Sequence, residues 1–237
     1  MEFKEFQKAL LACNIQLDEI RYKKLDLYFQ MLIERNKVMN LTAIIERKDV
    51  FIKHFLDSLM INCFYDMSKA KNLIDIGTGA GFPGIPVKIF FPEIRMVLLD
   101  SLQKRLNFLS DVVDQLELKD VTLLHGRAED FAHDGKYRQK FDLVTSRAVA
   151  NLSTLSELCL PYNRIGGSFI SYKGPDSNEE IEKAKKSVFE MGGKVENVYS
   201  YQLPYSDIDR SMIVIHKKRN TPGIYPRKAG IPGKNPL

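Results

Sequence analysis

An α/β fold with a mostly parallel, doubly wound sheet is predicted by two features of the sequence. From Asn72 onward, short apolar runs alternate with helical stretches, which is typical of consecutive β-α-β units. These runs predict parallel strands at residues 73–76, 96–99, 121–124, 141–144 and 168–172. Two later runs, at residues 194–203 and 211–216, predict an antiparallel hairpin at the edge of the sheet.

The remaining elements divide the chain into three expected parts. Apolar residues recur at helical spacing within residues 1–70, which predicts a helical N-terminal lobe whose third helix covers residues 49–65. Residues 71–218 form the sheet-containing core, and residues 219–237 hold four of the ten prolines and are expected to form an extended arm. Helices between and after the strands are expected at residues 84–90, 102–115, 151–160 and 178–191.

Composition excludes several classes of protein. The 237 residues are 44% hydrophobic and 27% charged, which excludes a disordered or fibrous chain. Three widely spaced cysteines predict neither a disulfide framework nor a structural metal site. We see neither an apolar run of about 20 residues nor a signal peptide, so a cytoplasmic protein that acts away from membranes is expected.

The positive charge is concentrated at the end of the chain. The formal net charge is +5, and residues 211–237 contain six basic residues and no acidic ones. A basic segment of this kind suits a polyanion such as RNA, because each phosphate contact releases a counterion. A solubilising terminus has the same composition, so the charge alone leaves both interpretations open.

The strongest local motif is the glycine-rich stretch Asp75-Ile76-Gly77-Thr78-Gly79-Ala80-Gly81-Phe82-Pro83-Gly84, between a predicted strand and a helix. It fits the dinucleotide fingerprint GxGxxG and also DxGxGxG, the glycine loop of S-adenosylmethionine-dependent methyltransferases. Asp75 favours the second interpretation, because a carboxylate there can meet the methionine ammonium but would repel a pyrophosphate. Asp75, Gly77, Gly79 and Gly81 are therefore expected at an S-adenosylmethionine site.

Polar residues at three other strand ends suit the same cofactor. Asp100 can accept hydrogen bonds from both ribose hydroxyls, although this would suit a dinucleotide equally. Glu129, beside Ala128, can accept from the adenine amino group, and it can equally be an acid that stabilises a helix N-terminus. Arg147 follows the fourth strand, where its guanidinium can hold a phosphate, a base or the cofactor carboxylate.

The residues near the fourth strand limit which atoms could accept the methyl group. Thr145-Ser146-Arg147-Ala148 lacks the Pro-Pro-aromatic loop of exocyclic-amine methylation, and Cys159 lies in a predicted helix, a poor position for a nucleophile. Guanine N7 carries its own lone pair and needs only alignment, so it is consistent with the absence of a catalytic base. A ribose 2′-hydroxyl target would need a base such as Lys173. Methylation of another RNA site, of a small molecule or of a protein remains open, as do an oxidoreductase and a nonenzymatic RNA-binding factor.

The whole pattern resembles the RsmG (GidB) family of bacterial 16S ribosomal RNA methyltransferases, over nearly the full chain. The matching stretches are Asn40-Leu41-Thr42, His54-Phe55-Leu56-Asp57-Ser58-Leu59, Asp75 to Pro86, Ser146-Arg147-Ala148-Val149-Ala150, Tyr172-Lys173-Gly174, Tyr225-Pro226-Arg227-Lys228 and Gly230-Ile231-Pro232. The resemblance implies a class I, Rossmann-like methyltransferase fold. It also implies N7 methylation of guanine 527 in the 530 loop of 16S rRNA.

The resemblance also implies site residues and partners. Cofactor contacts are implied at Gly77, Phe82, the Ala128-Glu129 pair and Arg147, and Phe82 comes chiefly from the resemblance. Arg147 is the one catalytic candidate, acting mainly by positioning, and 16S rRNA in the small subunit or an assembly intermediate is the expected partner. We expect a monomer without an obligate protein partner. Basic residues expected to contact RNA are Lys173, Arg227, Lys228 and Lys234.

The residues His54 and Asp57 allow two interpretations. His54 and Asp57 are three residues apart on a predicted helix, where their side chains can meet. Packing of the helical lobe against the sheet is the favoured interpretation, and contact with RNA is the alternative.

Overall fold

Seven strands form one sheet in the order β3-β2-β1-β4-β5-β7-β6 in the computed structural model, which describes residues 1–147 and 150–237. Their bounds are β1 Asn72–Ile76, β2 Arg95–Asp100, β3 Val121–His125, β4 Phe141–Arg147, β5 Asn163–Lys173, β6 Gly193–Gln202 and β7 Asp209–Lys217. Strands β1 to β5 are parallel, and β7 pairs antiparallel with both β5 and β6. The predicted doubly wound sheet with an antiparallel edge hairpin is confirmed.

Helices cover both faces of the sheet. They are α1 Phe3–Leu11, α2 Glu19–Met39, α3 Arg47–Val50, α4 Asp57–Leu59, α5 Ile61–Phe64, α6 Gly84–Phe90, α7 Gln103–Gln115, α8 Ala128–Phe131, α9 Leu152–Cys159, α10 Asn178–Glu190 and α11 Ile231–Lys234. Short 3-10 turns cover Met67–Lys69 and Leu160–Tyr162. Among the described residues, we find no helix with both the length and the apolar character that a membrane crossing requires.

The helix expected at residues 49–65 is interrupted by a π-helical turn. Phe51–Leu56 is π-helical and lies between α3 and α4. Such insertions occur often at functional sites, because they change the direction in which the following side chains point. His54 lies within this turn and Asp57 directly follows it.

Alternation along the strands produces a core on each side of the sheet. In β1, Leu73 joins the apolar cluster that also contains the N-terminal helices, whereas Ile74 and Ile76 join the cluster beneath α9 and α10. The N-terminal helices therefore share a hydrophobic core with one face of the sheet. The division at residues 70 and 218 stays a prediction.

The C-terminal arm is bound to the core, and the expectation that it holds no regular structure was wrong. It includes the short helix α11 and returns across the region of α8 and α9. Arg138 donates to the carbonyl oxygens of Thr221 and Tyr225 at 2.9 Å each, and His133 Nε2 lies 2.8 Å from the Pro226 carbonyl oxygen. These contacts pair carbonyl oxygens of the arm with side chains of the core, and so fix the arm in place.

Arg227 is held inside this arrangement by a buried carboxylate, and its predicted contact with RNA stays a prediction. Its Nη2 lies 2.7 Å from Glu157 Oε2, its Nε lies 2.9 Å from Oε1, and its backbone N–H donates to Oε1 at 2.7 Å. The Glu157 side chain is 1% exposed. A buried carboxylate needs such a partner, because the interior solvates charge poorly.

Replacement of Arg227 by alanine is expected to destabilise the fold by about 3 kcal/mol or more, since it leaves Glu157 buried and unpaired. Urea unfolding measures this change. The matched control is Lys228→Ala, at an exposed neighbouring position, for which a change of about 0.5 kcal/mol or less is expected. Equal stabilities of the two variants would show that the ion pair is dispensable.

Candidate functional site

Three of the predicted site segments meet at the carboxyl edge of the sheet. The glycine loop follows β1, Asp100 ends β2 and Arg147 ends β4. Because β1 lies between β2 and β4, these segments converge where the connections leave toward opposite faces. Open α/β sheets bind their ligands in the crevice at that point.

The glycine loop is fixed by hydrogen bonds to the end of β2. The N–H groups of Gly77 and Thr78 donate to the Leu99 carbonyl oxygen at 2.9 and 3.1 Å, and Gly79 N–H donates to Asp100 Oδ2 at 2.9 Å. Gly79 has a φ of +64°, and a Cβ atom added there would find Gly77 O as its nearest neighbour, at 4.0 Å. The loop therefore presents bare backbone to open space, as close approach by a ligand requires.

A cavity of about 410 Å³ lies over this loop. Five of the predicted cofactor residues line it, namely Gly77, Gly79, Phe82, Asp100 and Arg147. A cavity of this volume is within the range of small-molecule sites. Its lining combines open backbone, a carboxylate, an aromatic ring and a guanidinium. This set suits a nucleoside that carries an amino acid, because each part of such a ligand finds complementary chemistry.

Asp75 lies beneath the loop and does not line the cavity. Its side chain is fully buried, Oδ1 accepts from Thr145 Oγ1 at 2.9 Å, and Oδ2 accepts from the N–H of Gly84 at 3.2 Å. The expected contact with a ligand ammonium, and the argument that Asp75 repels a pyrophosphate, therefore find no geometric support. Asp75 instead ties the start of α6 to β1 and β4.

Burial raises the pKa of the Asp75 carboxyl from 3.8 to about 6, despite its hydrogen bonds to Thr145 and Gly84. The folded chain then binds this proton more tightly than the unfolded chain. The associated stability is fully present below about pH 4 and is lost as the pH rises through about 6. We expect the difference in unfolding free energy between wild type and Asp75→Asn to be larger at about pH 4 than at about pH 7.5 in urea titrations. A pH-independent difference would contradict the raised pKa.

Three other predicted cofactor residues, Gly81, Ala128 and Glu129, are not among the residues that line the cavity. A Cβ atom at Gly81 would approach Ile85 Cγ1 to 2.7 Å, so this glycine permits close packing beneath the loop. Glu129 Oε1 accepts from the N–H of Gly230 in the C-terminal arm at 2.9 Å, and the Ala128 carbonyl oxygen accepts from Tyr162 Oη at 2.6 Å. Their cofactor contacts stay a prediction.

His54, Phe82 and Arg147 form one wall of the cavity. The rings of His54 and Phe82 stack with centroids 4.5 Å apart and planes 14° apart, and Arg147 Cζ lies 5.0 Å from the Phe82 ring centroid. Arg147 Nη2 lies 3.2 Å from His54 Nδ1. Because a guanidinium only donates, Nδ1 must accept, and the ring proton therefore lies on Nε2.

The His54 ring is therefore neutral and fixed in orientation. Nε2 lies 2.8 Å from Thr42 Oγ1, so the ring bridges Thr42 and Arg147. Burial and the charge of Arg147 lower the pKa of His54 to about 3. A neutral ring of this kind contacts both the Arg147 guanidinium and the face of Phe82.

A second cavity, of about 360 Å³, lies on the other side of this wall. His54 and Arg147 line both cavities, and Asp57, Arg210 and Tyr172 line only the second of the two. Arg147 Nη1 lies 3.1 Å from Asp57 Oδ2, and Arg210 Nε lies 3.4 Å from Asp57 Oδ1. These contacts join the helical lobe to β4 and β7, as the packing interpretation expected, and contact of His54 and Asp57 with RNA stays a prediction.

The predicted RNA-contacting lysines fall in two environments. Lys173 lines the second cavity, where its Nζ donates to the Ala150 carbonyl oxygen at 2.8 Å and to Glu180 Oε1 at 2.7 Å. Lys228 and Lys234 are exposed on the arm. Two positions of the motif after β4, Ala148 and Val149, lie outside the described residues.

The cavity residues that sequence reasoning missed include Thr42, on the helical side, and Arg105, beyond β2. Thr42 lines the first cavity, and the sequence indicates its stretch, Asn40-Leu41-Thr42, only as a family motif. Asn36 holds that stretch, because its Oδ1 accepts from the N–H groups of Leu41 and Thr42. Arg105 also lines the cavity, 3.4 Å from Asp100 Oδ2. Its position in the first turn of α7, shortly after β2, was the available signal.

Comparison with known proteins identifies the family. The family model described as rRNA small subunit methyltransferase G (GidB) matches residues 21–211. This chain belongs to the rRNA small subunit methyltransferase G family. Proteins named ribosomal RNA small subunit methyltransferase G from Bacillus cytotoxicus and Bacillus thuringiensis are each 46% identical to it over 237 residues, covering 100% of this chain and 99% of theirs. The family resemblance expected from the sequence motifs is confirmed.

Solved structures confirm the class I methyltransferase fold. An O-methyltransferase from Bacillus cereus in complex with SAH superposes with a TM-score of 0.57 at 16% identity, over 90% of this chain and 97% of that chain. M. jannaschii TYW2 in complex with AdoMet gives a TM-score of 0.51 at 11% identity, over 63% and 70%. Within the described ranges of this family member, we find no group of three His, Cys, Asp or Glu side chains arranged to hold a metal ion.

Proposed function

We propose that this member of the family transfers the methyl group of S-adenosylmethionine to N7 of guanine 527 in the 530 loop of 16S rRNA. The observation that carries the proposal is the pair of cavities that share His54 and Arg147 as a common wall. A methyl donor in the first cavity and a base in the second would both contact His54 and Arg147, and transfer requires that the methyl group and N7 meet directly beside these two side chains. The proposal includes action as a monomer in the cytoplasm, on the small subunit or an assembly intermediate.

The first cavity supplies complementary groups for the methyl donor. Asp100 has a buried carboxylate beside the loop, suited to ribose hydroxyls, and the open backbone at Gly77 and Gly79 allows close approach. Arg147 offers a cation for a carboxylate, and the Phe82 ring offers an apolar surface. Bound S-adenosylmethionine supplies an electrophilic methyl group on a positively charged sulfur.

Transfer to N7 places little chemical demand on the protein. The N7 lone pair forms the new N–C bond while the C–S bond breaks, S-adenosylhomocysteine leaves, and the positive charge moves to the guanine ring. No proton is removed, so neutral His54 and the always-charged Arg147 need only align the reactants and exclude water. The two described side chains that line both cavities, neutral His54 and charged Arg147, include no strong base, which fits this chemistry.

Exposed basic residues supply the sequence-independent part of RNA binding in this proposal. Lys228 and Lys234 lie exposed on the arm, and Lys53, Lys173 and Arg210 border the second cavity. Such cations contribute affinity through release of counterions from phosphates. Arg227, like Lys53, Lys173 and Arg210, is already paired with a carboxylate, and its contact with RNA stays a prediction.

The proposed function is tested by methyl transfer from labelled S-adenosylmethionine to small subunits and rRNA that lack the modification, alongside calorimetric binding of S-adenosylhomocysteine. We expect cofactor binding and label in 16S rRNA. Binding without label in any RNA would overturn the RNA substrate and favour a small-molecule or protein substrate. Stabilisation by NAD instead of S-adenosylhomocysteine in thermal unfolding would overturn the cofactor.

A further inference from the structure

The side chains that line the second cavity indicate which base it would bind. It lies between the π-helical turn, β5 and β7, and it shares His54 and Arg147 with the first cavity. A buried carboxylate, Asp57, belongs to its wall and is 3% exposed. The inference below rests on the proposed function and assigns a role to this carboxylate.

Asp57 is costly to bury for a purely structural purpose. Removal of a carboxylate from water carries a penalty of several kcal/mol, which only well-placed partners offset. Two arginines from different strands supply those partners, Arg147 at 3.1 Å and Arg210 at 3.4 Å. They hold its carboxylate in a fixed orientation at the cavity.

The carboxylate retains capacity for a ligand. A carboxylate has about four acceptor positions, and each Asp57 oxygen accepts one hydrogen bond from a protein side chain among the described residues. The Asp57 carboxylate in the wall of the second cavity therefore has capacity to accept two further hydrogen bonds from neighbouring donors of one ligand. Ordered donors on an incoming molecule are the natural complement of such a group.

We propose that Asp57 recognises the N1–H and N2 amino group of the target guanine, and so selects guanine over adenine in the second cavity. Guanine presents these two donors on one edge, whereas adenine presents an acceptor at N1 and lacks the N2 amino group. Arg147, in the wall between the cavities, is then placed to donate to guanine O6, the acceptor next to N7 on the ring.

The same arrangement favours the product of the transfer. The guanine ring becomes positively charged when N7 is methylated, and a fixed carboxylate on its edge stabilises that charge. Tyr172 helps to fix the backbone beside Asp57. Its Oη donates to the Ser58 carbonyl oxygen at 2.8 Å, which ties the residue after Asp57 to β5. Asp57 is thus a specificity-determining residue, with Arg210 and Tyr172 as positioning residues.

A double-mutant cycle between the protein and the RNA tests this contact. Small subunits are assembled with guanine or with inosine at position 527, since inosine keeps N7, O6 and N1–H but lacks the N2 amino group. We expect wild type to transfer methyl to guanine about 10- to 100-fold faster than to inosine at limiting RNA. We expect Asp57→Asn to have a lower kcat/KM for guanine and to discriminate less than about threefold.

The matched control is Asp142→Asn, another buried carboxylate paired with an arginine. Asp142 Oδ1 accepts from Arg164 Nε at 2.6 Å near the amino end of β4, away from both cavities. This variant is expected to lose stability but to keep the wild-type preference for guanine over inosine. Binding of S-adenosylhomocysteine by Asp57→Asn is expected within about threefold of wild type, because Asp57 lines only the second cavity.

Two results would overturn the inference. Equal rates of wild type on guanine and inosine would show that the N2 amino group is not recognised, whether or not Asp57→Asn folds. An undiminished preference for guanine in folded Asp57→Asn would assign the recognition to another group. In either case label in wild-type reactions would leave the proposed function standing, whereas no transfer to any RNA would remove both.

Discussion

Replacement of Arg147 by alanine is expected to lower kcat/KM for methyl transfer by about 100-fold or more while the fold stays intact. Arg147 holds three features of the site together, namely the neutral His54 ring, the Asp57 carboxylate and the face of Phe82. Its loss removes the wall shared by the two cavities, so both reactants lose alignment. Asp57 keeps Arg210 as a partner, so the burial of its charge remains partly compensated.

Steady-state transfer at limiting RNA and limiting cofactor, together with circular dichroism, measures this effect. Arg147→Lys keeps the charge but loses the planar fork, and an intermediate rate is expected. Arg164→Ala is the matched control, because it removes an arginine from Asp142 near the opposite edge of the sheet. Wild-type turnover in folded Arg147→Ala would refute the role assigned to the shared wall.

Gly81→Ala is expected to lose mainly stability, whereas Gly79→Ala is expected to lose mainly affinity for the cofactor. At Gly81, which has a φ of +100°, the new methyl group would approach Ile85 Cγ1 at 2.7 Å and Leu109 Cδ2 at 2.8 Å. Positive φ and overpacking together are expected to cost about 2–4 kcal/mol of stability. At Gly79 the methyl group meets no atom closer than 4.0 Å, so only the backbone strain of about 1 kcal/mol remains.

Binding of S-adenosylhomocysteine separates the two positions further. The Gly79 methyl group would extend from the loop where the cavity lies, so affinity is expected to fall by about tenfold or more in a well-folded protein. Urea unfolding and calorimetric titration measure both quantities for each variant. Tight binding by Gly79→Ala would contradict a cofactor seated on the loop.

Sequence predicted those parts of the molecule that depend on neighbouring residues. Strand and helix periodicity identified the sheet and its edge hairpin, and the glycine spacing identified the loop on which Gly77 and Gly79 line the cavity. Asp100 was identified because an acid at the end of β2 must lie at the carboxyl edge. These predictions succeed because strand direction and chain turns are local properties.

Features that depend on distant contacts were not predictable. Asp57 and Arg147 are 90 positions apart, and Arg227 and Glu157 are 70 apart, so no local pattern reveals either pair. The basic arm suggested a free cation at Arg227, but a buried glutamate takes its charge. Asp75 was placed correctly at the strand end, yet the side of the loop that it faces depends on how α6 packs against β1.

The most direct test of the central claim maps the position and atom of the transferred methyl group. Labelled 16S rRNA from the transfer reaction is reduced with borohydride and treated with aniline, which cleaves the chain at N7-methylguanine. A single cleavage at guanine 527 in the 530 loop is the result that the two-cavity account predicts. Label in the RNA without aniline cleavage would keep the methyl transfer and contradict the N7 target.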